Sequence, residues 1–234
     1  MDFKLSKEHE MARKMFREFA ENELEPLAVE IDEEERFPWE SVAKFARYGM
    51  MGIPIPKKYG GAGGDNLMYC IAIEEIAKKC ATSSVIIAAH TSLCMGPIMA
   101  FGTEEQKMKW IPDLASGRKI GAFGLTEPGA GTDASGQQTQ AVKDGDEYVL
   151  NGTKCFITNG DTADTYVVFA VTDKTKGLKG ISLFVVEKGT PGFSTGLHEK
   201  KMGIRGSSTT DLIFEDCRIP AGNLIGKEGQ GWKI

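Results

Sequence analysis

The sequence predicts an α+β protein, an all-helical N-terminal domain followed by a small antiparallel β-barrel or sandwich domain. Three observations carry that expectation. Apolar residues recur at helical spacing up to about residue 118. From residue 119 the chain turns to short β-branched runs between Gly- and Pro-rich turns. After Pro220 it reads "GNLIGKEGQGWKI", a connector and the first residues of another helix, so a C-terminal helical domain is expected to be missing beyond Ile234. The expected boundaries are 1–118, 119–221 and 222–234.

Ser6 opens the first helix, with Leu5, Ala12, Met15, Phe16, Phe19, Leu24 and Leu27 along one face. Pro38 suits the first turn of a second helix, Val42, Phe45 and Ala46 give its buried stripe, and Gly49 ends it. After the turn-rich "GIPIPKKYGGAGGDN", Leu67, Ile71, Glu74 and Ala77 resume the helical period. From Cys80 to Thr103 the chain carries no Asp, Glu, Lys or Arg, which raises the question of a membrane span. Thr82, Ser83, Ser84, His90, Thr91 and Ser92 interrupt it, so it reads as a buried core helix with His90 as a satisfied core histidine. Thr103-Glu104-Glu105-Gln106 is a capping box and opens the last of about five helices. In the β half, Asp144-Gly145 and Asn151-Gly152 read as hairpin turns, and "TYVVFAVTD", "GISLFVVEK" and "TTDLIFEDCRI" as strands. At least six strands follow, the last closed by Pro220.

The 234 residues carry 28 basic and 33 acidic side chains, a net charge of −5 that argues against nucleic acid or an anionic membrane as partner. Small-molecule chemistry is the default. Five cysteines, odd in number and never at metal-ligand spacing, suit a reducing compartment, and "MDFKLSKEHE" has no apolar leader segment, so a cytoplasmic location is expected.

The stretch "GAFGLTEPGAGTDASG", Gly121 to Gly136, is the densest functional signal. Its five glycines allow a ligand to press against main chain, yet it lacks both the Gly-Lys-Ser/Thr of a phosphate loop and the dinucleotide Gly-x-Gly-x-x-Gly. On its own it could equally be a set of plain turns. Taken alone, Phe156 reads as core packing, and Glu127 is tempting as a general base.

With "GLTEPGAGTDASG", the later "KCFITNG", and "KMGIRGSSTTDLIFEDCRIP" leading into "LIGKEGQGWKI", the whole chain resembles the acyl-CoA dehydrogenases, most of all the short-chain, butyryl-CoA type of anaerobic bacteria. The resemblance implies FAD as cofactor, held by Phe123, Gly124, Leu125, Thr126, Gly131, Thr132, Phe156, Ile157 and Thr158. Backbone amides and the Thr126 hydroxyl would serve the flavin's pyrimidine side, Phe156 would lie against the ring where many relatives have Trp, and Thr158 would reach N5. Thr132, in place of a commoner Ser, would touch the substrate's pantetheine, and Leu93 and Cys94 would floor the acyl pocket.

It further implies α,β-dehydrogenation of a short acyl-CoA to the trans-2-enoyl-CoA in a homotetramer. Electrons would pass to an electron-transfer flavoprotein docked on the helices before residue 80, with Leu67, Met68 and Tyr69 as candidate contacts. The family's base is a carboxylate of the C-terminal domain, so no catalytic residue is assigned here, Glu127 is read as structural, and these residues alone are expected to be inactive. A non-catalytic flavin- or acyl-CoA-binding module and an acyl-CoA oxidase are the alternatives.

Overall fold

A computed structural model describes residues 4–234. They fall into two compact units: residues up to Ala88 with Pro112–Arg118 and Lys200–Ser207, and Ala89–Ile111 with Lys119–Glu199 and Ser208–Ile234.

In the first unit, helix α1 spans Lys7–Phe19 and runs through a π-helical turn, Ala20–Leu24, into α2, Glu25–Glu33. The Ser6 side chain caps it, accepting the His9 N–H at 3.2 Å. Ala12, Phe16, Ala20, Leu24 and Ile31 form the buried stripe, while Met15 stays exposed. Helix α3, Trp39–Arg47, follows Pro38 and buries Val42 and Phe45; Gly49 then adopts left-handed backbone. Helix α4, Asn66–Ala77, is capped by Asp65, which accepts the Met68 N–H at 2.7 Å.

The buried face of α4 is Ile71, Ala72, Glu75 and Ile76; of the expected spacing Leu67, Ile71, Glu74 and Ala77, only Ile71 is buried. The phase turns because Glu75 points inward, where it accepts from Arg17 Nε at 2.9 Å and Lys78 Nζ at 2.9 Å. These contacts, led by Arg17, hold its carboxyl at about 2, below the ordinary carboxylate value.

Helix α5, Ala81–Ala88, a π-helical turn Ala89–Met95 and α6, Gly96–Phe101, form one continuous helix. It is the one helix among the described residues long and apolar enough to cross a membrane, and half of its apolar window is buried in the protein. Helix α7, Glu104–Ala115, starts at the expected capping box. Thr103 N–H donates to Gln106 Oε1 at 2.9 Å, and Gln106 N–H donates to Thr103 Oγ1 at 3.2 Å.

The second unit is built on one sheet. Its strands are β1 Gly121–Gly124, β2 Gln140–Asp144, β3 Glu147–Thr158, β4 Thr165–Val171, β5 Ile181–Glu187, β6 Phe193–Thr195, β7 Thr209–Pro220 and β8 Leu224–Ile225. They lie in the order β6-β7-β3-β2-β4-β5-β8, with β1 paired to β4. Most pairs are antiparallel as expected, but β1 runs parallel to β4, and β2 touches β4 in parallel at Gln140 and Val171, so the sheet is mixed. Every residue of β4 is buried, which suits a strand covered on both faces.

The hairpin expected at Asp144-Gly145 forms between β2 and β3, with Gly145-Asp146 as its turn and Asp144 paired opposite Glu147. Asn151-Gly152 does not turn the chain. It lies inside β3 at a bulge against β7, where Gly152 has φ 143° and a Cβ would stand 2.6 Å from Thr139 Oγ1. The residue pair that suits a tight hairpin suits a bulge for the same reason, positive φ at the glycine. After Pro220 the chain forms β8 against β5, so the connector is partly a strand of the sheet.

Candidate functional site

A cavity of 190 Å³ in the sheet unit is lined by Ala89, Leu93, Phe123, Leu125, Thr126, Phe156, Ile157 and Thr158. Three stretches build it: the π-helical turn, the end of β1 with the residues after it, and the end of β3. Gly121 fastens the first to the second. Its N–H donates to His90 Nδ1 at 2.9 Å, and an added Cβ would stand 2.5 Å from Cys94 Sγ. Only glycine lets the strand come so close. His90 is fully buried and hydrogen-bonded, a core histidine as expected.

Phe156 stands out. Its φ of +60° is a conformation that bulky side chains rarely adopt, and its ring is 63% exposed between buried Cys155 and Ile157. The cause is the pairing with β7, which slips between Lys154 and Ile157, so the bulge turns Phe156 out of the core and into the cavity wall. The core reading of this residue is therefore not what the backbone builds. Across from it, Thr126 is fixed by its carbonyl, which accepts the Cys155 N–H at 2.8 Å. The hydroxyls of Thr126 and Thr158 are the only polar side-chain groups in the lining.

Beneath the cavity lies a buried ion pair. Lys154 Nζ donates to Leu125 O at 3.0 Å, Glu127 Oε1 at 2.7 Å and Gln137 Oε1 at 3.1 Å. Glu127 also accepts the backbone N–H groups of Gln138 at 2.5 Å and Thr139 at 3.0 Å. Burial pushes the Glu127 carboxyl up, but the bonds from Lys154, Thr139 and Gln138 outweigh it and hold the group below the ordinary carboxylate value. Burial works against the Lys154 charge, with Glu127 opposing. A carboxylate so occupied is a structural group, not a poised base.

Of the residues expected to hold cofactor or substrate, Phe123, Leu125, Thr126, Phe156, Ile157, Thr158 and Leu93 meet at this cavity. Gly124 lies buried beneath it, where a Cβ would press on Leu212 and Lys154. Gly131 and Thr132 are exposed on the loop outside the lining. Cys94 is a correction: it is fully buried, its Sγ directed at Thr165 O at 3.6 Å, and burial pushes its thiol up to about 12. Neighbours on a helix face different ways, so Leu93 and Cys94 cannot share one pocket wall. Ala89 and the Lys154 network were not anticipated. The i, i+4 spacing to Leu93 could have found the first, and a lone lysine inside an apolar strand the second.

The acyl-CoA dehydrogenase N-terminal domain matches residues 6–118, and the acyl-CoA dehydrogenase middle domain matches residues 122–217. Over its whole length the chain is 62% identical to a short-chain specific acyl-CoA dehydrogenase of Clostridium acetobutylicum and 54% identical to an acryloyl-CoA reductase (NADH) of Anaerotignum propionicum. It spans 62% and 60% of those proteins. Among solved structures, butyryl-CoA dehydrogenase from Megasphaera elsdenii superposes with a TM-score of 0.96 at 48% identity, covering all of this chain and 62% of that one. A chain in a structure of the electron transferring flavoprotein of Acidaminococcus fermentans gives 0.97 at 52% identity, covering 100% and 61%.

Proposed function

The chain belongs to the acyl-CoA dehydrogenase family, and from that membership we propose that it forms the cofactor-holding part of an FAD-dependent enzyme converting a short-chain acyl-CoA to its trans-2-enoyl-CoA. The observation that carries the reading is the strained, exposed Phe156 beside two hydroxyls on a cavity whose lining has no carboxylate. FAD, when bound, supplies the two-electron acceptor that takes the substrate's β-hydrogen as hydride.

The residues fit such a group. Phe156 offers a flat apolar face to an aromatic heterocycle, and the Thr126 and Thr158 hydroxyls offer donors to its polar edge. A reduced flavin gains negative charge, which preset donors stabilise and a lining carboxylate would oppose. Glu127 is excluded from that role because Lys154 and two backbone N–H groups already claim its oxygens. In this proposal the substrate's α-proton passes to a carboxylate outside the cavity lining, which holds none. The names of the relatives support a short acyl group.

Electron-transfer flavoprotein is the proposed electron carrier. The helical unit bears a groove of 330 Å³ in which Met15, Phe16, Phe19, Tyr48 and Met50 sit with Glu18, Asn22 and Glu23, a surface suited to a projecting apolar side chain of such a partner. It is built mainly on α1 and the Tyr48–Met50 turn and does not include Leu67, Met68 or Tyr69. A homotetramer in the cytoplasm completes the proposal.

The test is the visible spectrum of the protein at the full length its gene encodes, with bleaching by a series of acyl-CoAs. Butyryl-CoA should bleach the flavin fastest. Thr126→Val should weaken FAD retention and slow bleaching, since a lost donor to developing charge costs about 2–4 kcal/mol. A protein that takes up no FAD would end the reading.

A further inference from the structure

We propose that Lys154 is a positioning residue for the cofactor loop: its buried ammonium, held against Glu127, locks Leu125 to Thr139 in the form that presents Thr126 to the cavity. The inference rests on the flavin reading and adds to it a residue outside the cavity lining.

Three oxygens converge on one nitrogen, those of Leu125, Glu127 and Gln137. A neutral amine has two N–H bonds, so only the ammonium satisfies all three. Glu127 carries the contact onward to the N–H groups of Gln138 and Thr139. Both ends of the loop, Leu125–Glu127 and Gln137–Thr139, thus meet on a single ion pair. Between them the restraints are local: of residues 128–136 only Ala130 is buried, paired through its backbone with Glu127, and Asp133 caps a short turn, Ala134–Gly136, whose Ala134 and Gly136 carbonyls accept from the Gln137 and Gln138 side chains.

Stability alone does not explain the pair. Burying two charges costs most of what their attraction returns, and apolar residues of similar volume commonly stabilise as well or better. What charge-assisted bonds add is direction. Here the direction falls on the cavity, because the residue after Lys154 donates to Thr126 O and the next one is Phe156. One short stretch of β3 therefore sets two walls of the site.

Lys154→Met alone would strand a buried carboxylate, so the informative variant is Lys154→Met combined with Glu127→Gln. It should melt somewhat below the parent, because a Gln amide keeps only one of the two oxygens that accept the Gln138 and Thr139 N–H groups, and it should bind FAD about tenfold more weakly, the scale of a lost bond to a charged group. In the cofactor-free protein, amides of residues 125–139 should exchange faster while those of β4 and β5 keep their protection. That second readout is independent of flavin: if the parent takes up no FAD, the flavin reading fails and exchange alone decides the role of Lys154. Should the double variant not fold, Gln137→Met removes one acceptor and should still raise exchange in the loop. Parental FAD affinity together with parental loop exchange would overturn the proposal.

Discussion

The Gly121 N–H donates to Nδ1 of the buried His90 at 2.9 Å, which places the ring's one N–H proton on Nε2 and ties the start of β1 to the π-helical turn. The same closeness makes the glycine irreplaceable. A Cβ at 121 would lie 2.5 Å from Cys94 Sγ and 2.6 Å from Cys94 Cβ. Gly121→Ala should therefore cost about 1–3 kcal/mol in urea unfolding, the usual range for overpacking a core. Gly131→Ala is the control. Nothing lies within 4 Å of a Cβ there, so its cost should stay within about 0.5 kcal/mol.

Phe156→Gly should separate stability from function. A bulky residue at φ +60° carries strain that glycine does not, while glycine adds unfolded-chain entropy, so the cofactor-free protein should be unchanged or gain up to about 1 kcal/mol. Flavin retention should fall sharply, because Phe156 is the more exposed of the two aromatic rings on the cavity. Phe156→Trp keeps the surface and should keep the cofactor. A clear loss of stability in the glycine variant would show that the ring packs rather than waits for a ligand.

Glu75 predicts an acid limb in the stability curve. Its folded value of about 2 lies below the ordinary 4.5, so the ion-pair contribution is fully present above pH 4.5 and is lost as pH falls towards 2. Arg17 is half exposed, so solvent screening reduces the worth of the cluster to about 1–2 kcal/mol. Melting temperature between pH 5 and pH 2 should fall more steeply in the parent than in Glu75→Gln, which starts lower at neutral pH. Parallel curves would remove Glu75 as a source of the acid limb.

The sequence made local devices legible and non-local ones not. The capping box of Thr103 and Gln106 and the hairpin at Asp144-Gly145 are each decided within four residues; the first forms as read and the second forms one residue later, on Gly145-Asp146. Asn151-Gly152 carries the same local preference, yet its outcome depends on β7, more than fifty residues later. Strand direction is also silent, since the side-chain period of β1 is the same whether β4 runs with it or against it. On α4 the spacing ran through Glu74 and passed over Glu75, which is the buried one, paired with Arg17 on another helix. Most of the candidate site was readable through two motifs, Phe123–Thr126 and Phe156–Thr158. Lys154 stands two residues before the second, at the head of "KCFITNG", but its role needs Glu127 and Gln137, which only folding brings to it.

Leu93 is placed to set acyl-chain preference. It stands on the π-helical turn, 43% exposed, and lines the cavity with Ala89 one turn before it and with Phe123 and Phe156 from the sheet. Apolar walls discriminate by space, and one or two methylenes of room alter transition-state binding by about tenfold. Leu93→Ala opens the wall, so the ratio of octanoyl-CoA to butyryl-CoA turnover should rise by about that factor. Ala89→Leu fills the same wall and should move the ratio the other way. Cys94→Ala provides the internal contrast, because its side chain faces Thr165 and not the cavity, and it should leave the ratio alone. If the ratio is indifferent to both Leu93→Ala and Ala89→Leu, this wall is not where the acyl chain ends.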